Sequence, residues 1–334
     1  METLIINQVE GFNPEFLSVS NRQIVNEIKS NGYYAFEEAL DPAFVDEILA
    51  EVNFNDISLN KNDVSVVATQ NNKYLTHCLA SSEKAYNIIT SPKILAICKE
   101  YFTDTYKLIN HRIYQTSKKQ HLPWHTDNNR LEGAQMSEKH DMPGLFFMFY
   151  LSEVPKNPFQ MVRGSHLWSH KYNSESFFTD SFIDKNHADD VVTFRLKKGS
   201  FILCDTHGIH RAEPFNDDNY NRTTLLFQVD QVGNNNAGHG EKNIINTEYL
   251  KNLTPEISDY LGFGFKRDYP AFPDTSIATM TTPDILKLQK QLFSKSFGAI
   301  GQNIVRSVLP ANVITSLKRL RYRQSKRLKL TAKG

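Results

Sequence analysis

Leu122-Pro123-Trp124-His125-Thr126-Asp127-Asn128 is the stretch that decides how the chain is read. In an extended segment residues i and i+2 leave the backbone on the same side, so His125 and Asp127 can reach one ion. One imidazole nitrogen and one carboxylate leave a third protein ligand to find. Two histidines and a carboxylate on one face of an octahedron hold non-haem Fe(II) and leave open positions for other ligands. The His-x-Asp pair alone arises easily by chance, so its weight depends on a matching second half elsewhere in the chain.

That second half lies downstream. Lys198-Gly199-Ser200-Phe201-Ile202-Leu203-Cys204-Asp205 reads as a turn, a strand and its end. Thr206-His207-Gly208-Ile209-His210 comes directly after it. A histidine just past a strand is well placed to complete a site on sheet edges, and His207 and His210 are both candidates. A polar loop over 216–221 then leads to Arg222, which opens the strand Thr223–Val229. Read as a hairpin, this loop sets Arg222 beside the strand that carries the distal histidine. An arginine is planar, permanently charged and bidentate, and so suits the far carboxylate of a dicarboxylate. An iron triad plus such an arginine is what 2-oxoglutarate requires: its keto-acid end chelates the metal and its distal carboxylate meets Arg222. Arg112 and Gln115 lie on the strand before the metal motif and are further candidates for cosubstrate contact.

Around this centre the texture changes along the chain. Helical spacing of Ile24 and Ile28, the turn Asn31-Gly32, a short strand Tyr33–Phe36 and a helix opened by Asp41-Pro42 come first. Phe44, Ile48 and Leu49 give that helix its apolar face, and Ser91-Pro92 opens another over 91–102. Short β-rich runs then succeed one another: Tyr106–Gln115, Leu145–Leu151, Val191–Leu196, Phe201–Cys204 and Thr223–Val229. Helices first and many short strands after predict a mainly β antiparallel sandwich or jelly roll with flanking helices. Phe146, Phe147 and Phe149 read as core, and His121, His140 and His170 as solvated loop residues. A helix is expected over 283–309, and Pro310 interrupts it.

Forty per cent of the 334 residues are apolar, enough for a sizeable core and against general disorder. Cys78, Cys98 and Cys204 stand singly, which argues against a disulfide framework and for a reducing compartment. The N-terminus has neither a basic start nor a long apolar run, and no stretch reaches the length of a membrane span. Net charge is +1, but residues 311–334 hold eight Lys or Arg and no acid, leaving 30 basic against 37 acidic residues elsewhere. An acidic body is no nucleic-acid binder. The tail intersperses Val313, Ile314, Leu317, Leu320 and Leu328 with its cations, which reads either as a solvated basic end or as an interfacial helix in peripheral contact with an anionic membrane surface.

Four stretches resemble the phytanoyl-CoA dioxygenase family: Ile24 to Pro42 with its helix, glycine turn and strand, Pro123-Trp124-His125-Thr126-Asp127, Gly164-Ser165-His166, and Lys198-Gly199 with His210 and Arg222. Together they span about residues 20–230 in matching order and spacing. The resemblance implies a double-stranded β-helix, a cupin-like jelly roll. It also implies that His210 rather than His207 is the distal ligand, with His125, Asp127 and His210 on Fe(II), Arg222 on 2-oxoglutarate, and O2 as co-reactant. Halogenating relatives lack the carboxylate, so Asp127 favours hydroxylation of an unactivated C–H bond with release of succinate and CO2, with desaturation and ring formation as the alternatives. Two departures stand out. The Gly-rich segment before Gly-Ser-His is here Lys156-Asn157-Pro158-Phe159-Gln160-Met161-Val162-Arg163, which points to a different substrate rim. Past residue 231 no family motif is present. The competing readings are a non-catalytic jelly-roll binding module and a cupin-type metalloenzyme that does not use 2-oxoglutarate. The intact ligand set argues against the first and Arg222 against the second. The expectation is therefore a dioxygenase domain over 1–282 and a helical, basic extension over 283–334. It would be a cytoplasmic monomer, peripheral to a membrane if the tail binds one, acting on a small metabolite, lipid or sugar precursor.

Overall fold

The computed structural model describes residues 10–52, 66–68, 72–76, 78–117, 123–127, 143–168, 177–215, 217, 219–232, 245–263, 282–310, 313, 314, 316, 317 and 320. His121, His140, His170, Leu328 and most of the basic tail lie outside them.

Two antiparallel sheets form the frame. The larger runs β1 (Tyr33–Phe36), β10 (Phe201–Asp205), β6 (Gly144–Tyr150), β12 (Asn221–Gln231), β4 (Tyr106–Ser117), β3 (Asn72–Leu75), β2 (Val66–Ala68). The smaller runs β8 (Phe177–Phe178), β5 (Trp124–His125), β11 (His210–Ala212), β7 (Phe159–Val162), β9 (Val191–Phe194). This is the double-stranded β-helix that the resemblance implies, one of the two architectures, sandwich or jelly roll, open to the strand-rich middle of the sequence.

The alternation of side chains divides the interior into two layers. Odd residues of the central strands (Phe147, Phe149, Phe201, Leu203, Leu225, Phe227) join one cluster with the helices. Even ones (Phe146, Met148, Ile202, Cys204, Leu226) face the smaller sheet. Phe147 and Phe227 stack with ring centroids 4.6 Å apart. Each such buried side chain contributes about 1.5–3 kcal/mol of hydrophobic stabilisation. All three cysteines are buried and free.

Helices α1 (Pro14–Ser18), α2 (Asn21–Asn31), α3 (Pro42–Glu51), α4 (Cys78–Ser81), α5 (Glu83–Ile89) and α6 (Pro92–Tyr101) supply the other half of the first cluster. Their starts are set by the sequence. The side chains of Ser20, Asp41 and Ser91 accept from the amides of Gln23, Ala43 and Ile94, and Pro42 and Pro92 occupy first-turn positions where no amide is needed. On α3 the buried face is Phe44, Val45 and Ile48, with Leu49 only partly buried, because the helix turns Val45 inward. α2 ends at Gly32, whose φ of +88° is the left-handed cap that glycine adopts without strain. Gly199 has φ +87°, and a Cβ there would lie 2.4 Å from the Leu40 carbonyl oxygen, so only glycine fits the turn into β10. Helix α7 (Asp180–Asn186) lies between β8 and β9, and α8 (Pro255–Tyr260) comes after β12.

The chain divides into a compact unit, Met1–Phe265, and a second, Lys266–Gly334, which contains α9 (Thr282–Val308). Among the described residues no helix is long and apolar enough to cross a membrane.

Candidate metal centre and cosubstrate pocket

Antiparallel pairing in the smaller sheet sets His210 of β11 directly opposite His125 of β5. Their ring centroids are 4.4 Å apart. Asp127, two residues past His125, is tied to the strand end before His210 by its amide, which donates to the Thr206 carbonyl at 3.3 Å. Its carboxylate comes within 3.1 Å of His210 Nε2 and 3.9 Å of His125 Nε2. One donor atom from each of the three residues lies within 4.8 Å of the others, so the set can close on one ion. The Asp127 side chain remains 35 % exposed, open towards an incoming ligand.

Backbone contacts fix the tautomers. His125 Nδ1 lies 2.8 Å from the Pro123 carbonyl and His210 Nδ1 2.9 Å from that of Gly208. A carbonyl only accepts, so each Nδ1 carries the proton and each Nε2 presents its lone pair to the centre. Electrostatics keep the carboxylate ionised but, without a metal, favour a proton on His210. Burial disfavours a charged Asp127, yet His210 and then His125 and Arg112 outweigh it and hold the carboxyl down at about 2. Burial likewise disfavours a charged His210, but the Asp127 carboxylate more than offsets it and raises the ring's pKa. Two imidazole nitrogens and an ionised carboxylate are a donor set suited to Fe(II).

A cavity of about 220 Å³ opens over the three ligands, between the sheets. The smaller sheet contributes His125, Asp127, Phe159, His210, Arg211 and Ala212. The larger contributes Tyr74, Arg112, Tyr114, Thr116, Phe146, Met148, Arg222 and Leu226. Arg222 is buried and pairs across the ladder with Thr116. Its guanidinium donates to the Asn157 carbonyl and, at 3.5 Å, to the Tyr114 hydroxyl. Its Nε and the Thr116 Oγ1 are buried with no partner among the described residues. A buried donor without an acceptor costs about 1–3 kcal/mol, which a bound carboxylate would relieve. The cavity thus fits 2-oxoglutarate at both ends.

One expectation about Arg222 is corrected. It does not lie beside the strand of His210: β11 belongs to the smaller sheet and β12 to the larger, between β4 and β6. β10, β11 and β12 alternate between the sheets, so the chain changes sheet between Ala212 and Asn221, and Arg222 faces the metal ligands from the opposite wall. The candidates on β4 also separate. Arg112, Tyr114 and Thr116 share the cavity face, whereas Gln115 is absent from the lining, its side chain leaving on the other face of the strand. Tyr114 and Thr116 went unnoticed in the sequence, although a period of two counted from Arg112 finds both. Phe146 is both core and cavity wall, edge-on to His210 at 6.0 Å.

His207 lies away from the cavity. Its amide and Nδ1 engage the Asp205 carboxylate at 2.8 and 3.0 Å, and Tyr101 donates to the same carboxylate at 2.7 Å. The Gly-Ser-His element is structural here. Ser165 Oγ accepts from the Ile209 amide at 2.8 Å, one residue before His210, and His166 Nε2 meets the Lys29 carbonyl at 3.2 Å. These contacts and the Asp205 amide on the Gly32 carbonyl at 2.9 Å lock the loop that presents His210.

Fold and site together define a jelly-roll protein with a two-histidine, one-carboxylate centre. The sequence model of the phytanoyl-CoA dioxygenase (PhyH) family matches residues 28–222, more than half of the chain, and the protein belongs to that family. It is accordingly a 2-oxoglutarate-dependent non-haem iron enzyme of the oxygenase type. No curated protein sequence matches it. Several solved structures are similar. HygX from Streptomyces hygroscopicus, with nickel and 2-oxoglutarate bound, is 14 % identical over 64 % of this chain and 87 % of its own, with a TM-score of 0.49. The epimerase SnoN, in complex with Fe3+, alpha-ketoglutarate and nogalamycin RO, is 17 % identical over 64 % and 84 %, TM-score 0.49. The carbocyclase SnoK from nogalamycin biosynthesis is 18 % identical over 65 % and 86 %, TM-score 0.49.

Proposed function

We propose that the protein hydroxylates an unactivated C–H bond of a small metabolite, lipid or sugar precursor that presents an anionic group to Arg112. The observation that carries hydroxylation is the Asp127 carboxylate set against both histidines, since it takes the place a halide would need. His125, Asp127 and His210 would hold Fe(II). When bound with 2-oxoglutarate and O2, the metal supplies oxidative decarboxylation to succinate and CO2, coupled to insertion of one oxygen atom into the substrate. The protein positions and shields. Arg222 and Thr116 would take the far carboxylate of 2-oxoglutarate, and Phe146, Met148, Phe159 and Leu226 would keep water from the reacting end.

Charge balance supports the substrate class. A ferrous ion cancels the 2-oxoglutarate dianion, and Asp127 cancels one of the two cavity arginines, Arg112 and Arg222. Arg211 is engaged by Asp180 at 2.7 Å. Arg112 has a free donor: its Nε is buried with no partner among the described residues, and its guanidinium lies against the rings of Tyr74 and Tyr114 at 5.6 and 5.9 Å. Asp127 feels the Arg112 charge, yet Arg112 and Arg222 together leave one positive charge in excess in a half-buried cavity, which favours an anionic ligand.

The first test is succinate formation from 2-oxoglutarate by iron-loaded protein once air is admitted, which needs no substrate because slow uncoupled turnover is expected. Wild type makes succinate, and His125→Ala and Arg222→Ala do not. Arg112→Met keeps this basal turnover but loses stimulation by anionic compounds. With ¹⁸O2, the organic product gains one labelled atom; a product without label would replace hydroxylation by ring closure, epimerisation or desaturation.

A further inference from the structure

The oxygenase chemistry leaves helix α9 without a task. Seven of its apolar side chains stand in solvent: Leu292, 55 % exposed, on one flank, and six others, Leu286 at 59 %, Phe293 68 %, Phe297 64 %, Ile300 56 %, Ile304 58 % and Val308 73 %. Their spacings of seven, four, three, four and four residues put all six on one stripe of the helix. At 1.5 Å per residue the stripe is about 33 Å long. Lys290 sits at its margin and Lys295 on the far side, and the Gly298 and Gly301 positions meet nothing within 4 Å. A monomer rarely exposes a contiguous apolar surface of this kind without a use for it.

Charge indicates what covers the stripe. Residues 282–334 hold twelve Lys or Arg and one acid, Asp284, while the remainder of the chain holds 26 basic against 36 acidic residues. We propose that this segment is an interfacial anchor, with α9 lying in the plane of an anionic lipid surface, its Phe and Ile side chains among the acyl chains and its cations at the head groups. The helix cannot span, since no window of it is apolar enough. It has instead the composition of a helix that lies on a membrane: a strong apolar face and low overall hydrophobicity. The net-negative remainder is repelled by the same surface, so the attraction is confined to the C-terminal segment. A second copy of the chain fits less well. Two such segments would bring their cations together, and the seven-residue repeat of Leu286, Phe293 and Ile300 ends at Ser307, with Lys290 in the companion seam.

The full-length protein is sedimented with vesicles of phosphatidylcholine alone and of phosphatidylcholine mixed with phosphatidylglycerol. It is expected to bind the mixed vesicles only, and more weakly in roughly 0.5 M salt, where screening shortens the reach of the cations to a few ångströms. Phe293→Glu/Phe297→Glu lowers binding at least ~10-fold while 2-oxoglutarate binding stays intact, because both positions lie outside the packed core. In Phe297→Trp, emission shifts to the blue with mixed vesicles. Equal binding to both vesicle types, or to neither, overturns the proposal. So does a wild-type dimer in light scattering that the double Phe substitution converts to monomer with no effect on lipid.

Discussion

The two sheets build one site by different means. The smaller sheet holds the metal ligands by local geometry: His125 and His210 are partners in one ladder, and Asp127 is two residues from the first. Its strands are short, β5 being two residues and β11 three, so turns and loops fix the ligands as much as the ladder does. The larger sheet supplies the cosubstrate wall from long, buried strands, with Arg222 and Arg112 held by a twelve-residue and an eleven-residue partner. Metal affinity therefore depends on the tightness of a few turns, and cosubstrate affinity on side-chain parity across a rigid sheet. The two should be separable by substitution.

The largest effect is expected from His210→Ala, which removes one of three ligands. Iron affinity should fall by ~100-fold or more and turnover should vanish, with metal content after dialysis as the measure. Arg222→Met should instead leave iron bound and raise the KM for 2-oxoglutarate by about 100-fold, in line with ~3 kcal/mol for a buried charged contact. Loss of iron from Arg222→Met would break the division of labour between the sheets.

Acid should act on the metal ligands and leave the arginines of the larger sheet charged. His210 has a raised pKa in the metal-free protein, so its contact with Asp127 stabilises that form fully below about 6.5 and is lost as pH rises through the raised value. At the other extreme the contribution of Asp127 is lost as pH falls through about 2. Iron requires the neutral ring, so the two trends oppose each other. Iron affinity should weaken about 10-fold per pH unit below the His210 pKa while the metal-free protein holds its stability, as calorimetry and metal titration at matched pH would show.

Ser165→Ala tests whether the Gly-Ser-His element works through the loop before His210. Leaving the Ile209 amide unpaired in a fully buried place should cost about 1–3 kcal/mol, lower Tm by several degrees and weaken iron by roughly 10-fold, with KM for 2-oxoglutarate unchanged. Gln115→Ala should change neither iron nor 2-oxoglutarate binding, since Gln115 and Arg112 lie on opposite faces of β4; a raised KM would contradict the parity argument.

Much of the fold and the site was legible in the chain itself. His125 and Asp127 are two residues apart, so extension alone brings them together. Helix starts at Ser20, Asp41-Pro42 and Ser91-Pro92, and the glycine turns at Gly32 and Gly199, are local choices set by caps and φ. The character of the fold was readable from short apolar runs between polar loops. Other features depend on residues distant in sequence, and a linear pattern does not specify these. Local pattern alone leaves His210 and His207 both open, and only the family resemblance favours His210; Asp205 captures His207 only once β10 has ended beside Tyr101. The connection from β11 to Arg222 reads as a hairpin, but pairing of β12 with β4 and β6 sends it across to the facing sheet. Gln115 and Thr116 are neighbours whose roles diverge because strand parity, fixed by the register of β4 against β12, turns one towards the cavity and the other away. The sequence by itself determined the donor types, the local elements and the charge of each end. Tertiary structure decided which donors meet, because register and sheet assignment are set by the burial of whole faces rather than by any single residue.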